Sequence, residues 1–367
     1  MTSKLFEPIR LRGLTLPNRI VVAPMCQYSA VEGSASDWHL MHLTQFALGG
    51  VGLVVIEASG VSAVGRITPA CLGLYSDDNE KALGHALAAA RRFGAAPIGI
   101  QLAHAGRKAS TYPPGSNKGM GALSREDGAW QTVSASALPY SNWHTPLALD
   151  EGGLAQVRDE FVTAAKRAVR LGLDEIELHM AHGYLMQQFL SPLSNHRTDA
   201  YGGTLKGRMK FPLEVFAAVR AAIPDAMPLG ARINATDWAE GGWTIEEAVI
   251  FARALKDAGC DFVCVSSSGS TPAQKIEVGP LYQVPFAKRI RQEAGIMTRA
   301  VGMIITPQQA EEIIADGAAD MVALARGLLD DPRWAWHAAK TLGADAAYPI
   351  QYRRAKFDVW PGQMRPF

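Results

Sequence analysis

With 367 residues, 48% of them hydrophobic and 19% charged, the chain carries enough apolar material for a large buried core. Its 36 basic and 35 acidic side chains nearly cancel, which excludes a global field drawing it to nucleic acid or to an anionic membrane. No signal-peptide run follows Met1 and no stretch approaches a membrane span, so a cytoplasmic protein with a small-molecule partner is expected.

Short, apolar, β-branched runs alternate with helical patterns, as a parallel sheet requires. The first predicted strand is Ile20 to Ala23 and the second Leu53 to Glu57. A helix with Leu83, Ala86, Leu87, Ala90 and Phe93 on one face stops at Gly94, before a third strand from Pro97 to Leu102. From about His104 to Gly153 the chain is rich in Gly, Pro, Ser and Tyr and is too long for an ordinary loop. That segment (104–153) is predicted to be a lid or hairpin insertion after the third strand. The next helix, with Leu154, Val157, Phe161, Ala165 and Val169 aligned, stops at Gly172 before a fourth strand, Glu175 to Leu178. The fifth strand is Pro228 to Ile233. Thr244 and Glu247 form a capping box for a helix that ends at Gly259, and the sixth strand is Phe262 to Val265. Met297 to Val301 is the seventh. A second capping box, Thr306 to Gln309 with proline at the first helical position, opens a helix ending at Gly317. Met321 to Leu324 is the eighth strand.

The four helix-ending glycines stand where a left-handed cap is wanted. Gly172-Leu173-Asp174 and Gly259-Cys260-Asp261 repeat one helix-to-strand turn. Eight such units without a Gly-x-Gly-x-x-Gly fingerprint predict a single α/β domain over 1–367. It is a closed (β/α)8 TIM barrel rather than a doubly wound sheet. The tail at 348–367, with Tyr352, Arg353, Arg354 and Trp360, matches no barrel helix and is placed to reach a subunit interface.

Barrels build their sites from the carboxyl ends of their strands. In order, these are Ala23-Pro24-Met25-Cys26-Gln27-Tyr28, Glu57-Ala58-Ser59, Gln101 with His104, then His179, His182 and Tyr184. Arg232, Ser266 to Gly269, Gly302 and Ala325-Arg326-Gly327 follow. Gly302 lets backbone approach an anion and Arg326 can fork onto two of its oxygens. At the seventh and eighth strands the pair suits a phosphate-bearing cofactor, although each alone reads as a turn glycine and a surface arginine.

The motif His179-Met180-Ala181-His182-Gly183-Tyr184 can offer two hydrogen bonds to one oxygen and a proton nearby. A structural pair is the plain alternative. A metal site is the sharper one, but there is no His-Glu-x-x-His context and no second cluster to complete a ligand shell, so no metal is expected. Cys260 and Cys264 read as core fillers. Cys26 reads either as core or, beside Tyr28, as site lining.

The sequence resembles the Old Yellow Enzyme family of flavin-dependent ene-reductases. The branch is the thermophilic-like one with a cysteine near the flavin, which includes xenobiotic reductases. Leu5-Phe6-Glu7-Pro8-Ile9, Leu16-Pro17-Asn18-Arg19-Ile20, Ala23 to Tyr28 and Gln101 to Lys108 carry the resemblance. So do the histidine–tyrosine motif, Ser191-Pro192-Leu193-Ser194-Asn195 and Arg197 to Gly203. The resemblance implies FMN as cofactor and NADPH, or NADH, as reductant. It implies that Ala23, Pro24, Met25, Cys26, Ala58, Gln101, Arg232 and Ala325 contact FMN, with Gly302 and Arg326 on its phosphate.

By the same resemblance His179 and His182 hold a substrate oxygen and Tyr184 donates the proton. Cys26 tunes the flavin and contacts substrate together with Tyr28. Arg354 resembles an arginine that some relatives insert into a neighbour's site, in keeping with a homodimer or homotetramer. The implied reaction is ping-pong reduction of enones, maleimides and nitroalkenes, with nitro compounds and quinones as further substrates. The chain departs from the pattern at Gly207, where relatives usually have asparagine, at Val301, where some carry tryptophan, and in its longer tail. A metal-dependent barrel hydrolase using His179 and His182, or a non-catalytic flavin-binding protein, are the alternatives.

Overall fold

Eight parallel strands close into a barrel in the computed structural model, which describes residues 3–119 and 121–360. They are Ile20–Val22, Leu53–Gly60, Ile98–Ala103, Glu175–Met180, Leu229–Asn234, Phe262–Ser266, Met297–Ala300 and Met321–Leu324. Each pairs with its neighbour in sequence, and the eighth closes on the first with Ala323 opposite Val21. The predicted (β/α)8 barrel is therefore the fold. The second strand runs on to Gly60, its register with the third shifting between Ile56 and Ser59.

The strands are buried on both faces because they separate two cores. On the fourth strand Ile176, Leu178 and Met180 face outward into the helices, with Phe161, Ala165 and Val215 among their company. Inside the barrel lies a smaller cluster of Val21, Val55, Phe262, Cys264 and Met321. Its amino-terminal end is plugged by an antiparallel hairpin, Ile9–Leu11 with Leu14–Leu16, whose Leu11 and Leu16 are fully buried. Three-residue strands leave too little pattern to read, and the sequence did not announce them.

Helix punctuation holds, with two corrections. Both capping boxes form, Thr244 with Glu247 and Thr306 with Gln309. Gly172, Gly259 and Gly317 adopt φ of 65°, 91° and 64°. Gly94 does not: it is extended at φ −99°, and a Cβ there would lie 2.3 Å from the Cβ of Ala47. Close packing, not a left-handed cap, requires that glycine. Phe93, expected on the apolar face, is 50% exposed.

The repeated turn also has a physical reason. Asp174 and Asp261 accept the backbone N–H of Ile98 and Leu229, and Asp320 accepts that of Thr298. An aspartate ahead of the fourth, sixth and eighth strands thus satisfies a donor at the start of the strand before it.

The 104–153 segment holds a short 3-10 turn, Gly106–Lys108, and a parallel pair of two-residue strands, Val133–Ser134 and Leu147–Ala148. Ile350–Ala355 forms an exposed 3-10 turn, and residues 361–367 of the tail lie outside the described residues. Among the described residues no helix is long and apolar enough to cross a membrane.

Candidate functional site

The barrel's carboxyl-terminal mouth opens into a cleft of about 900 Å³. Of the residues singled out from sequence, Ala23, His182, Arg232, Gly302, Ala325 and Arg326 line it. Pro24, Met25, Cys26 and Tyr28 continue from the first strand, and Ala58 and Gln101 lie in the second and third. Arg354 lies apart, exposed on the 3-10 turn near the carboxyl terminus.

Period-two alternation on the fourth strand puts Glu175, Glu177 and His179 on one face, inside the barrel. The chain then turns sharply, with His182 at φ 59° and Gly183 at φ 70°. A side chain at 183 would meet the carbonyl oxygen of Gly269 at 2.1 Å, so glycine is required there. The turn is tied down from outside. Asn234 Oδ1 accepts the N–H of His182 at 3.1 Å, and Lys108 Nζ donates to the carbonyls of His182 and Gly269 at 2.8 and 2.9 Å.

This brings the three predicted side chains together. The His179 ring centroid lies 5.0 Å from His182 and 4.9 Å from Tyr184, each pair near edge-to-face. His179 Nδ1 accepts the N–H of Ala181 at 3.2 Å, so its proton sits on Nε2. Ser266 Oγ meets His182 Nε2 at 2.8 Å and lies 3.4 Å from Gln283 Oε1; its one proton on His182 sets the imidazole proton on Nδ1, and on Gln283 sets it on Nε2. His179 therefore keeps its Nε2–H for a ligand, and His182 keeps an N–H on Nδ1 when Ser266 donates to its Nε2.

Burial sets the charge states. It pushes both histidines well below the usual range, helped by the Arg232 charge, so they are neutral at neutral pH. It pushes the Tyr184 phenol well up, so the proton stays on it. Tyr28 moves the same way, again through burial. Lys108 falls to about 7 through burial and the neighbouring Arg107. The neighbouring Cys71 thiol, with burial, raises the Cys26 thiol well above the ordinary value.

Three features fit an anionic, ring-bearing cofactor. Arg232 has a buried Nε without a partner, so its guanidinium faces the cleft with bonding capacity to spare. Gly302, at φ 110°, keeps the floor beside Gln283 clear, since a Cβ would fall 2.9 Å from that side chain. Arg326 stands exposed at the rim beside it. Gln101 is buried, its Nε2 donating to Glu177 Oε1 at 2.7 Å.

Sequence reasoning missed Lys108, Asn234 and Cys71. Lys108 stood inside the recognised Gln101–Lys108 motif and could have been found there. Asn234 and Cys71 gave no local signal, because their roles come from partners distant in sequence.

A family model described as "NADH:flavin oxidoreductase / NADH oxidase family" matches residues 4–345. The chain is 43% identical to the NADPH dehydrogenase of Geobacillus thermodenitrificans (strain NG80-2), over 96% of this chain and 99% of that one. It is 40% identical to the NADPH dehydrogenase of Bacillus subtilis (strain 168), with the same coverage. Among solved structures, morphinone reductase matches with a TM-score of 0.77 at 26% identity, covering 95% of this chain and 92% of its own.

Proposed function

Because the chain belongs to the NADH:flavin oxidoreductase / NADH oxidase family, the Old Yellow Enzyme family, we propose that it reduces activated C=C bonds in enones, maleimides and nitroalkenes. It is an FMN-dependent oxidoreductase that draws electrons from NADH or NADPH. The relatives' name favours NADPH, and the family assignment removes the metal-dependent hydrolase. One observation carries the substrate class: two imidazoles and a phenol, all held neutral by burial, stand together where the fourth strand ends, His182 lining the cleft and the His179 ring centroid 5.0 Å from that of His182.

When bound, FMN supplies the hydride chemistry that links the nicotinamide to the substrate. Arg232 and Gln101 would hold its ring beside Ala23, Pro24, Met25, Cys26, Ala58 and Ala325, and Gly302 and Arg326 its phosphate. His179 and His182 donate to the substrate's carbonyl or nitro oxygen. As negative charge gathers on that oxygen the two hydrogen bonds strengthen, so they favour the transition state over the ground state. Loss of one donor is expected to cost about 3 kcal/mol of barrier. Tyr184 gives its proton to the α-carbon, and Tyr28 and Cys26 line the substrate's approach. A homodimer or homotetramer would let the exposed Arg354 of one copy enter its neighbour's site.

Tyr184→Phe tests this reading in the holoenzyme by stopped flow. Flavin reduction by NADPH should stay within about twofold, while alkene reduction slows roughly 10²- to 10⁴-fold. Equal loss in both half-reactions would remove the proton-donor role.

A further inference from the structure

Beneath the cleft runs a line of buried polar groups that the chemistry above does not use. Arg299, fully buried, donates through Nη2 to Glu175 Oε2 at 2.8 Å and through Nη1 to Glu177 Oε2 at 3.2 Å. Its guanidinium lies 4.2 Å from the ring centroid of Phe262. The other oxygen of Glu177, Oε1, accepts from Gln101 Nε2 at 2.7 Å, the two residues standing opposite each other across adjacent strands. Burying such a network rarely adds stability over an apolar filling of the same volume. Its geometry suggests another use.

A carboxylate only accepts hydrogen bonds, whereas an amide presents a donor end and an acceptor end of nearly equal shape. Glu177 therefore selects one of the two amide orientations of Gln101. The NH2 group turns toward the carboxylate, and Oε1, which no described residue bonds, is left for a ligand together with one remaining N–H. The flavin's pyrimidine edge offers the complement, an imide N–H beside a carbonyl oxygen. Reversing the amide would set donor against donor and acceptor against acceptor.

We propose that Glu177 is a positioning residue which, anchored by Arg299, locks the Gln101 amide so that Oε1 faces the flavin imide N–H. The inference rests on the assignment of Gln101 to the flavin ring. Glu175 supplies an internal control, since it shares Arg299 but makes no bond to Gln101.

The test is FMN titration of the apoproteins, with the midpoint potential of the bound flavin as a second readout. Gln101→Met and Glu177→Gln should each weaken FMN binding roughly tenfold and shift the potential, as expected for loss of one hydrogen bond to a buried partner. The double variant should lose no more than either single one, and Glu175→Gln should stay within about twofold. Glu177→Gln binding FMN as the parent does while Gln101→Met binds it weakly, or losses that multiply in the double variant, would overturn the proposal. FMN binding unchanged in Gln101→Met would instead remove the assignment of Gln101 on which it rests. Should Glu177→Gln fail to fold, Glu177→Asp keeps the charge beside Arg299 but withdraws the acceptor. The same weakening supports the proposal, and undiminished binding refutes it.

Discussion

At the amino-terminal end of the barrel, Arg12 bonds through Nε to Asp261, through Nη1 to the Asp225 carbonyl and through Nη2 to the Gly259 carbonyl. At the carboxyl-terminal end, Arg232 holds a buried Nε with nothing to meet it. The contrast extends to the surroundings. The hairpin plug is aliphatic and closed, whereas the mouth leaves His104 Nε2 unmet and keeps Tyr28, His182, Ser268 and Met303 at φ between 50° and 82°. Non-glycine residues reach that region at a cost, which the plug bears at Arg12, φ 48°, and the mouth at these four positions. The plug's arginine commits all three of its nitrogens to the fold, whereas the mouth's keeps one open toward the cleft.

The sharpest way to break this division is to injure the plug. Leu16→Ala removes a fully buried side chain and should cost about 2–5 kcal/mol in chemical denaturation, with turnover per bound flavin unchanged. Turnover that falls in proportion to stability would mean the two ends are not separable. Next comes Arg232→Met at the mouth. It should weaken FMN by about 2–4 kcal/mol, yet leave the apoprotein's unfolding midpoint where it was or raise it, because the lost charge had no partner. An apoprotein destabilised by that change would show that Arg232 serves the fold.

Most of the barrel was legible because strand runs, capping boxes and turn glycines are local signals. The predicted strand ends fell within three residues of the observed ones. The His179–Tyr184 cluster was legible for the same reason, since one strand and one turn deliver all three rings. What could not be read joins residues far apart. Glu175 and Glu177 looked like unremarkable members of a buried strand, and their partner Arg299 lies more than a hundred residues away in sequence. Gly94 misled because a glycine needed for close packing and one needed for a left-handed turn look alike in sequence.

A smaller effect at the mouth comes from acid. Burial holds His104 at about 4, below its unfolded value near 6.5, so the unfolded chain binds the extra proton between those values. Its contribution to stability is complete above pH 6.5 and falls as pH drops toward 4, by up to about 1.4 kcal/mol per pH unit. His104→Asn keeps an acceptor for the Gly106 N–H and should flatten the pH dependence of unfolding over that window. An unchanged slope would place the acid sensitivity elsewhere.

The least effect belongs to the plug's own arginine. Arg12 has three bonding directions, but its side chain is 27% exposed and its Asp225 partner is almost wholly in solvent. Ion pairs so exposed are screened, and the two neutral carbonyl contacts can pass to water. Only the Asp261 bond, at 2.6 Å to a carboxylate that also takes the N–H of Leu229, is sheltered. Arg12→Met should therefore cost about 1 kcal/mol in low salt and less in 1 M salt, with FMN binding and turnover untouched. Denaturation of both proteins at the two salt concentrations measures it. A salt-independent loss as large as that of Leu16→Ala would mean that the plug is held by its buried polar bond to Asp261 rather than by its leucines, and the contrast between the two arginines would then rest on strength as well as on partners.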